Sequence, residues 1–225
     1  MKLLLLRLEG ALQSWGEDAK WDDRPSASFP TKSGVIGLIA CCMGLERGDE
    51  KINRMNAELS FGVRADRPGR RYVDFQTVSS EKMQSADKKN KDRTIISHRE
   101  YLQDASFLCA LSSKNDELSE EIMSALLKPV WAPYLGRKSC VPSRPVFAGI
   151  TEEYDSFEEA FRSIPLADTH GFSDTTVYAE TEDPAGFNTR KDVTVNAGER
   201  IFARRNVQIL SIAKGDIHVP FTTEA

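Results

Sequence analysis

Three stretches of this chain place cations, hydroxyls and glycines at spacings suited to gripping an anionic strand. Thr31-Lys32-Ser33-Gly34 stands between the extended Phe29-Pro30 and an apolar run that begins at Val35. The first amides of a helix lack internal partners and carry the positive end of its dipole. Ser33 as cap, Lys32 as charge and Gly34 as bare backbone can therefore hold a phosphate, although an ordinary capped core helix uses the same pattern. In Trp131-Ala132-Pro133-Tyr134-Leu135-Gly136-Arg137-Lys138-Ser139-Cys140, aromatics able to stack on a base accompany a glycine and two cations. That is the mix single-strand binding needs, and also that of a proline-stiffened connector with packed aromatics. Arg200-Ile201-Phe202-Ala203-Arg204-Arg205 sets three cations around one aromatic, which fits an anion site or a solvated strand face with a core Phe.

Other chemistry finds little to stand on. There is no G-x-x-x-x-G-K-[ST], no H-E-x-x-H and no G-x-S-x-G. His98-Arg99-Glu100 matches H-x-E, but the P-C-x-x-C half of a zinc deaminase site is missing. Cys41 and Cys42 are adjacent, Cys109 and Cys140 stand alone, and no C-x-x-C occurs, so no metal, cofactor or disulfide framework is expected and a reducing cytoplasm fits. His98 near Tyr101 can assist acid-base cleavage of RNA or serve as a structural hydrogen-bonder. His170 and His218 carry no further signal, and Trp15 suits a core role or a stack.

The elements that must carry these residues follow from periodicity. Residues 2–9 read as a buried first strand rather than a signal peptide, because Arg7 and Glu9 interrupt the apolar run. A polar loop to residue 32 precedes a helix over 33–45 closed near Gly44, and 49–58 adds a short helical piece. Residues 60–65 and 72–78 alternate as half-buried strands with Arg67-Pro68-Gly69-Arg70 as the turn between them. Residues 79–93 are polar and lysine-rich, a projection. Strands follow at 94–101 and 105–111, then an amphipathic helix over 116–127. This order predicts an α+β, ferredoxin-like or RRM-type unit over 1–149 with one sheet face free for single-stranded RNA. Residues 150–225 form a small, mostly β C-terminal domain, with a helix over 157–164 and strands near 194–195 and 207–212.

The net charge of -4 argues against global attraction to a polyanion, but it hides a segregation. Residues 82–99 carry six basic groups against Asp87 and Asp92, and 128–145 carry Lys128, Arg137, Lys138 and Arg144 with no acid. Residues 152–183 hold ten acids against Arg162. Such asymmetry favours a local footprint for nucleic acid or an acidic protein surface.

Five segments, in order across nearly the whole chain, carry a resemblance. They are Leu5-Leu6-Arg7-Leu8-Glu9-Gly10 with Gln13-Ser14-Trp15-Gly16; Arg24-Pro25 with Phe29-Pro30-Thr31-Lys32-Ser33-Gly34; Arg99-Glu100-Tyr101-Leu102 with Asp104-Ala105-Ser106-Phe107; Leu127-Lys128-Pro129 with the stretch from Pro133 to Cys140; and Arg200-x-Phe202-x-x-Arg205. Jointly they resemble the CasD-type subunits of the type I-E CRISPR Cascade complex, in the repeat-associated mysterious protein (RAMP) superfamily. The resemblance implies a cytoplasmic, non-catalytic subunit that grips the 5′ handle of crRNA and caps the backbone filament. Lys32, Ser33 and Gly34 would hold handle phosphate, while Tyr134, Gly136, Arg137, Lys138 and Ser139 would wrap the hooked nucleotides. Arg24, Arg99, Arg200 and Arg205 would add charge. A hairpin thumb over about 79–99, with Lys82, Lys88, Lys89, Lys91 and Arg93 toward its tip, would meet the neighbouring backbone subunit and the guide. The large PAM-reading subunit would dock close by, the acidic 152–183 region would face away from RNA, and no membrane is involved. The alternative, from RAMP relatives that trim repeat RNA, is a metal-independent endoribonuclease using His98, Tyr101 and Lys82.

Overall fold

Alternation along the first strand, β1 (Leu3–Glu9), explains why the core has two sides. Leu4, Leu6 and Leu8 join one buried cluster, and Leu3 and Leu5 join another. The computed structural model describes residues 1–16, 23–79, 83–84, 90–91, 94–167, 174–181, 188–199, 201–213 and 216–217. After β1 come β2 (Leu12–Gln13), β3 (Asp23–Arg24), α1 (Lys32–Met43), α2 (Glu50–Glu58), β4 (Ser60–Arg67), β5 (Arg70–Val78), β6 (Met83–Gln84), β7 (Asn90–Lys91) and β8 (Ile95–Gln103). The chain continues through β9 (Ser106–Ser112), α3 (Asp116–Leu127), β10 (Phe147–Thr151), α4 (Phe157–Ser163), β11 (Asp174–Glu180), β12 (Asn188–Asn196) and β13 (Ile201–Ala213). The fold is mixed α and β around a mostly antiparallel sheet.

The main sheet has seven strands in the order β10-β1-β9-β4-β11-β13-β12, every pair antiparallel. Its first half places β10 beside β1, β1 beside β9 and β9 beside β4, with α1 and α2 between β1 and β4 and α3 between β9 and β10. Leu4, Leu6 and Leu8 of β1, Phe107, Cys109 and Leu111 of β9, and Phe61 and Val63 of β4 pack under Val35, Ile36, Ile39, Leu118 and Ile122 of the helices.

Four expectations are corrected here. The boundary placed between 149 and 150 falls inside β10, and the C-terminal strands extend the same sheet through β4 and β11. The sheet face expected to stay free for RNA is covered: Phe157, Ala160 and Phe161 of α4 pack on Leu3, Leu5, Leu108 and Ala110. Gly62 has no side chain because a Cβ there would sit 2.9 Å from the Phe161 ring. The buried Arg64 locks that cover by donating to Asp66 and to the carbonyls of Phe161, Ile164 and Pro165. Third, β4 and β5 do not pair across residues 67–70. β5 leaves the main sheet and runs against β8 from Arg70 opposite Gln103 to Val78 opposite Ile95. The hairpin therefore spans 70–103, longer than the expected 79–99. Fourth, α1 is capped by Thr31, not Ser33.

Candidate nucleic-acid interface

The helix end expected to take a phosphate already holds a carboxylate of the chain itself. Thr31 is extended and its Oγ1 accepts the Gly34 N–H at 3.2 Å, while the Lys32 N–H donates to Asp192 Oδ2 at 2.8 Å. Asp192 is bridged in turn by Arg205, whose Nε and Nη2 donate at 2.7 and 3.0 Å. The Lys32 side chain turns inward, only 2% exposed, and its Nζ lies 3.0 Å from Glu180 Oε2. Burial pushes the Lys32 ammonium below the usual lysine range, and Glu180 pulls it part of the way back. Lys32 and Arg205 thus serve as internal ion-pair members rather than as open cations. Gly34 also has another use, since a Cβ there would meet the Trp15 ring at 2.9 Å. Trp15 is a core residue, 1% exposed, with its indole N–H on Gln13 Oε1.

The loop after α3 keeps Lys138 outside, with Arg137 half-buried beside it. Buried Leu135 and Cys140 anchor it: the Leu135 N–H donates to Cys140 O at 2.8 Å, and the Ser14 N–H donates to Leu135 O at 3.1 Å. Gly136 has φ +86°, and a Cβ there would lie 1.7 Å from Ser14 O, so glycine lets this loop lie against the backbone that follows β2. With its spine fixed, the loop presents Trp131, Tyr134, Gly136 and Lys138 to a groove of about 1350 Å³. Ser33, Gly34 and Cys41 of α1 and Phe202 of β13 line it as well. The Cys41 thiol is raised by burial and lowered in part by Lys138, and Cys42 behind it is pushed up to about 11 by burial. All four cysteines are free.

Of the residues expected to bind an anion, the fold thus gathers Ser33, Gly34, Tyr134, Gly136 and Lys138 around one groove, with exposed Ser139 next in the chain. Arg24, Arg99 and Arg137 meet elsewhere, at the base of the hairpin, where Arg137 Nη2 donates to Arg24 O at 3.0 Å. Arg200, Lys82, Lys88, Lys89 and Arg93 lie outside the described residues, as do His170 and His218; Lys91 is described only as backbone in β7. His98 and Tyr101 are three apart on β8 and so face opposite sides: His98 is exposed against Phe75, whereas Tyr101 is 4% exposed. Sequence reasoning missed Cys41, Glu46, Arg47 and Thr194 as groove residues, whereas Phe202 had carried a signal within the Arg200-x-Phe202 spacing. Among the described residues no group of three His, Cys, Asp or Glu side chains is set to hold a metal, and no helix is long and apolar enough to cross a membrane.

The family described as CRISPR-associated protein (Cas_Cas5) matches residues 3–208, nearly the whole chain. The chain belongs to this Cas5 family. A curated relative, the CRISPR system Cascade subunit CasD of Escherichia coli (strain K12), is 36% identical over 163 residues, covering 68% of this chain and 72% of that protein. Among solved structures, a chain described as a CRISPR RNA-guided surveillance complex superposes with TM-score 0.77 at 29% identity, covering 98% of this chain and 95% of that one. Another, described as the crystal structure of a Cas protein, gives TM-score 0.73 at 32% identity over 96% and 97%. Both likenesses cover nearly the whole of this Cas5 chain.

Proposed function

We propose that this Cas5 chain is a non-catalytic, RNA-binding subunit of a type I-E Cascade surveillance complex, gripping the 5′ handle of crRNA and capping the backbone filament. The observation that carries this reading is the groove between the first turn of α1 and the loop over 131–141, which collects a hydroxyl, a stacking aromatic and a cation with no ion pair among the described residues. Ser33 offers a hydroxyl, and its amide is the first-turn donor that neither Thr31 nor Asp192 takes. Lys138 neutralises phosphate, while Tyr134 and the half-exposed Trp131 give bases a surface to stack on. The β10-β1-β9-β4 order supports the ferredoxin-like RAMP reading. With α4 over the sheet, the handle is held beside α1 rather than on the sheet face. One face of the β5/β8 hairpin exposes Val73, Phe75 and Ile96, an apolar surface for the neighbouring backbone subunit. The large PAM-reading subunit docks close to the handle, and the complex works in the cytoplasm.

A titration of labelled crRNA 5′-handle RNA tests this. Lys138→Ala with Tyr134→Ala is expected to weaken binding and flatten its dependence on salt, with the melting temperature unchanged. Unaltered affinity and slope would remove the groove from the binding site. Repeat RNA incubated with the chain in EDTA is expected to stay intact; a discrete product lost in His98→Ala would overturn the non-catalytic assignment.

A further inference from the structure

The sheet edges of this molecule are unequally protected. An edge strand presents a row of unpaired N–H and C=O groups, and folded chains blunt it with bulges, short length or a covering element. β12, at one edge of the main sheet, has two register shifts against β13, and Asn56 and Asn53 of α2 accept the Thr194 and Ala197 amides at 2.9 and 3.1 Å. β10, at the other edge, is only five residues long and has a register shift against β1.

β5 has none of these devices. Its nine residues pair with β8 in unbroken register, and among the described residues no strand lies on its other side. It holds no glycine, proline or lysine, and Tyr72, Val73 and Phe75 are exposed along it. β3 pairs only with His98 and Arg99 of β8, and β2 only with Leu102 and Gln103. From Gln76 to Val78 the ribbon is therefore two strands wide among the described residues. A two-stranded ribbon is marginal in water, and a further strand laid against β5 would steady it.

We propose that the free chain pairs with a second copy of itself through β5, the two strands lying antiparallel about a two-fold axis at Phe75. Such an interface is isologous: the same edge is covered on both copies, and the assembly closes at two chains. A two-fold axis normal to the sheet sets one residue against its own copy, and the residues of β5 decide which. Centred on Asp74, the pair would oppose two carboxylates, which is unfavourable. Centred on Val73, it would set Arg71 against Phe75 of the second copy, but Arg71 is already held by Glu100 at 2.6 Å and by Ser26 O at 3.2 Å. Centred on Phe75, it overlaps residues 72–78, with Phe75 opposite Phe75, Val73 opposite Thr77 and no charged residue opposite another. Val73, Phe75 and Thr77 share one face of β5, so these contacts join into a single apolar seam. β5 also carries part of the face assigned above to the backbone subunit, so the pair is a state of the chain outside the complex.

Sedimentation velocity of the full chain without RNA tests this. The mass is expected to rise from one chain to two between low and high micromolar concentration. Val73→Lys with Thr77→Lys sets like charges opposite each other twice and should weaken the pair roughly tenfold or more. Val73→Lys with Thr77→Glu sets opposite charges there and should restore it. Both variants should melt with the dilute wild-type chain, because the two positions are exposed. Under a mild oxidant Phe75→Cys should cross-link to itself, and Val73→Cys should cross-link to Thr77→Cys but not to itself; this readout holds even if the lysine variant fails to fold. A chain that stays single at every concentration, a pair indifferent to the two lysines, cross-links in another register, or growth beyond two chains would each overturn the interface.

Discussion

Lys32 and Arg205 on one side of α1, and Lys138 with the hairpin-base arginines on the other, are the same kinds of residue in opposite circumstances. The first pair is buried, each cation opposite a carboxylate: Glu180 for Lys32 and Asp192 for Arg205. In the second set Lys138 is exposed and Arg24 and Arg99 are half-buried; Asp74, opposite Arg99, is taken up by Gln76, and none of the three cations has an ion pair among the described residues. A cation's role is set by what the fold puts opposite it. On the proposed RNA-binding reading, a chain of net charge -4 meets a polyanion where its acids are spent on some cations and kept from others.

The sharpest way to break this contrast is to remove an internal acid. Asp192→Ala strands Arg205 and frees the Lys32 amide, and the expected loss is about 3–5 kcal/mol, because a buried charge is left uncompensated. Differential scanning calorimetry should register it as a fall in melting temperature on the order of 10 °C. Replacing Asp192 and Arg205 together by apolar residues should restore much of it, and a double variant as unstable as the single would show that the pairing is not the cause.

Gly136→Ala should come next, since its backbone is left-handed and the added methyl collides with Ser14 O. A destabilisation of about 1–3 kcal/mol and displacement of the loop are expected, together with weaker RNA binding. Tyr134→Ala sharpens the contrast from the other side: it should lower affinity for handle RNA by about 1–3 kcal/mol with no change in melting temperature, the reverse of Asp192→Ala. Lys138→Ala should have a milder signature, a salt slope shallower by about 0.7 for each phosphate that is no longer neutralised. Val73→Ser with Phe75→Ser should move the isolated chain's stability within about 0.5 kcal/mol, because both side chains are already exposed, yet impair incorporation into the complex. Unchanged incorporation would take the hairpin's apolar face out of the assembly interface.

Much of the fold was legible because its signals are local. The helix over 116–127, the strands expected at 94–101 and 105–111 and found at Ile95–Gln103 and Ser106–Ser112, and a helix closed near Gly44 all follow from periodicity and caps within a few residues. The errors share a different cause. Residues 60–65 and 72–78 each have strand patterning, but no local signal says that β4 pairs with β9 and β5 with β8. The expected boundary near 149 followed a shift in composition, whereas the sheet is joined across it by β11 lying beside β4. At the candidate site, Tyr134, Gly136 and Lys138 were legible together because they sit on one loop. Lys32 was misjudged because its partner Glu180 is 148 residues away.

The residues alone settled which side chains could meet an anion, where most helices and strands begin and end, and that cationic and acidic stretches are segregated along the chain. Only the tertiary structure decided which cations are consumed and which stay available. Secondary structure depends on neighbours within a turn or a pleat, but neutralisation of a charge depends on whichever carboxylate the sheet order brings opposite it. For Lys32 that carboxylate comes from the far end of the sequence, so the pairing exists only once the chain has folded.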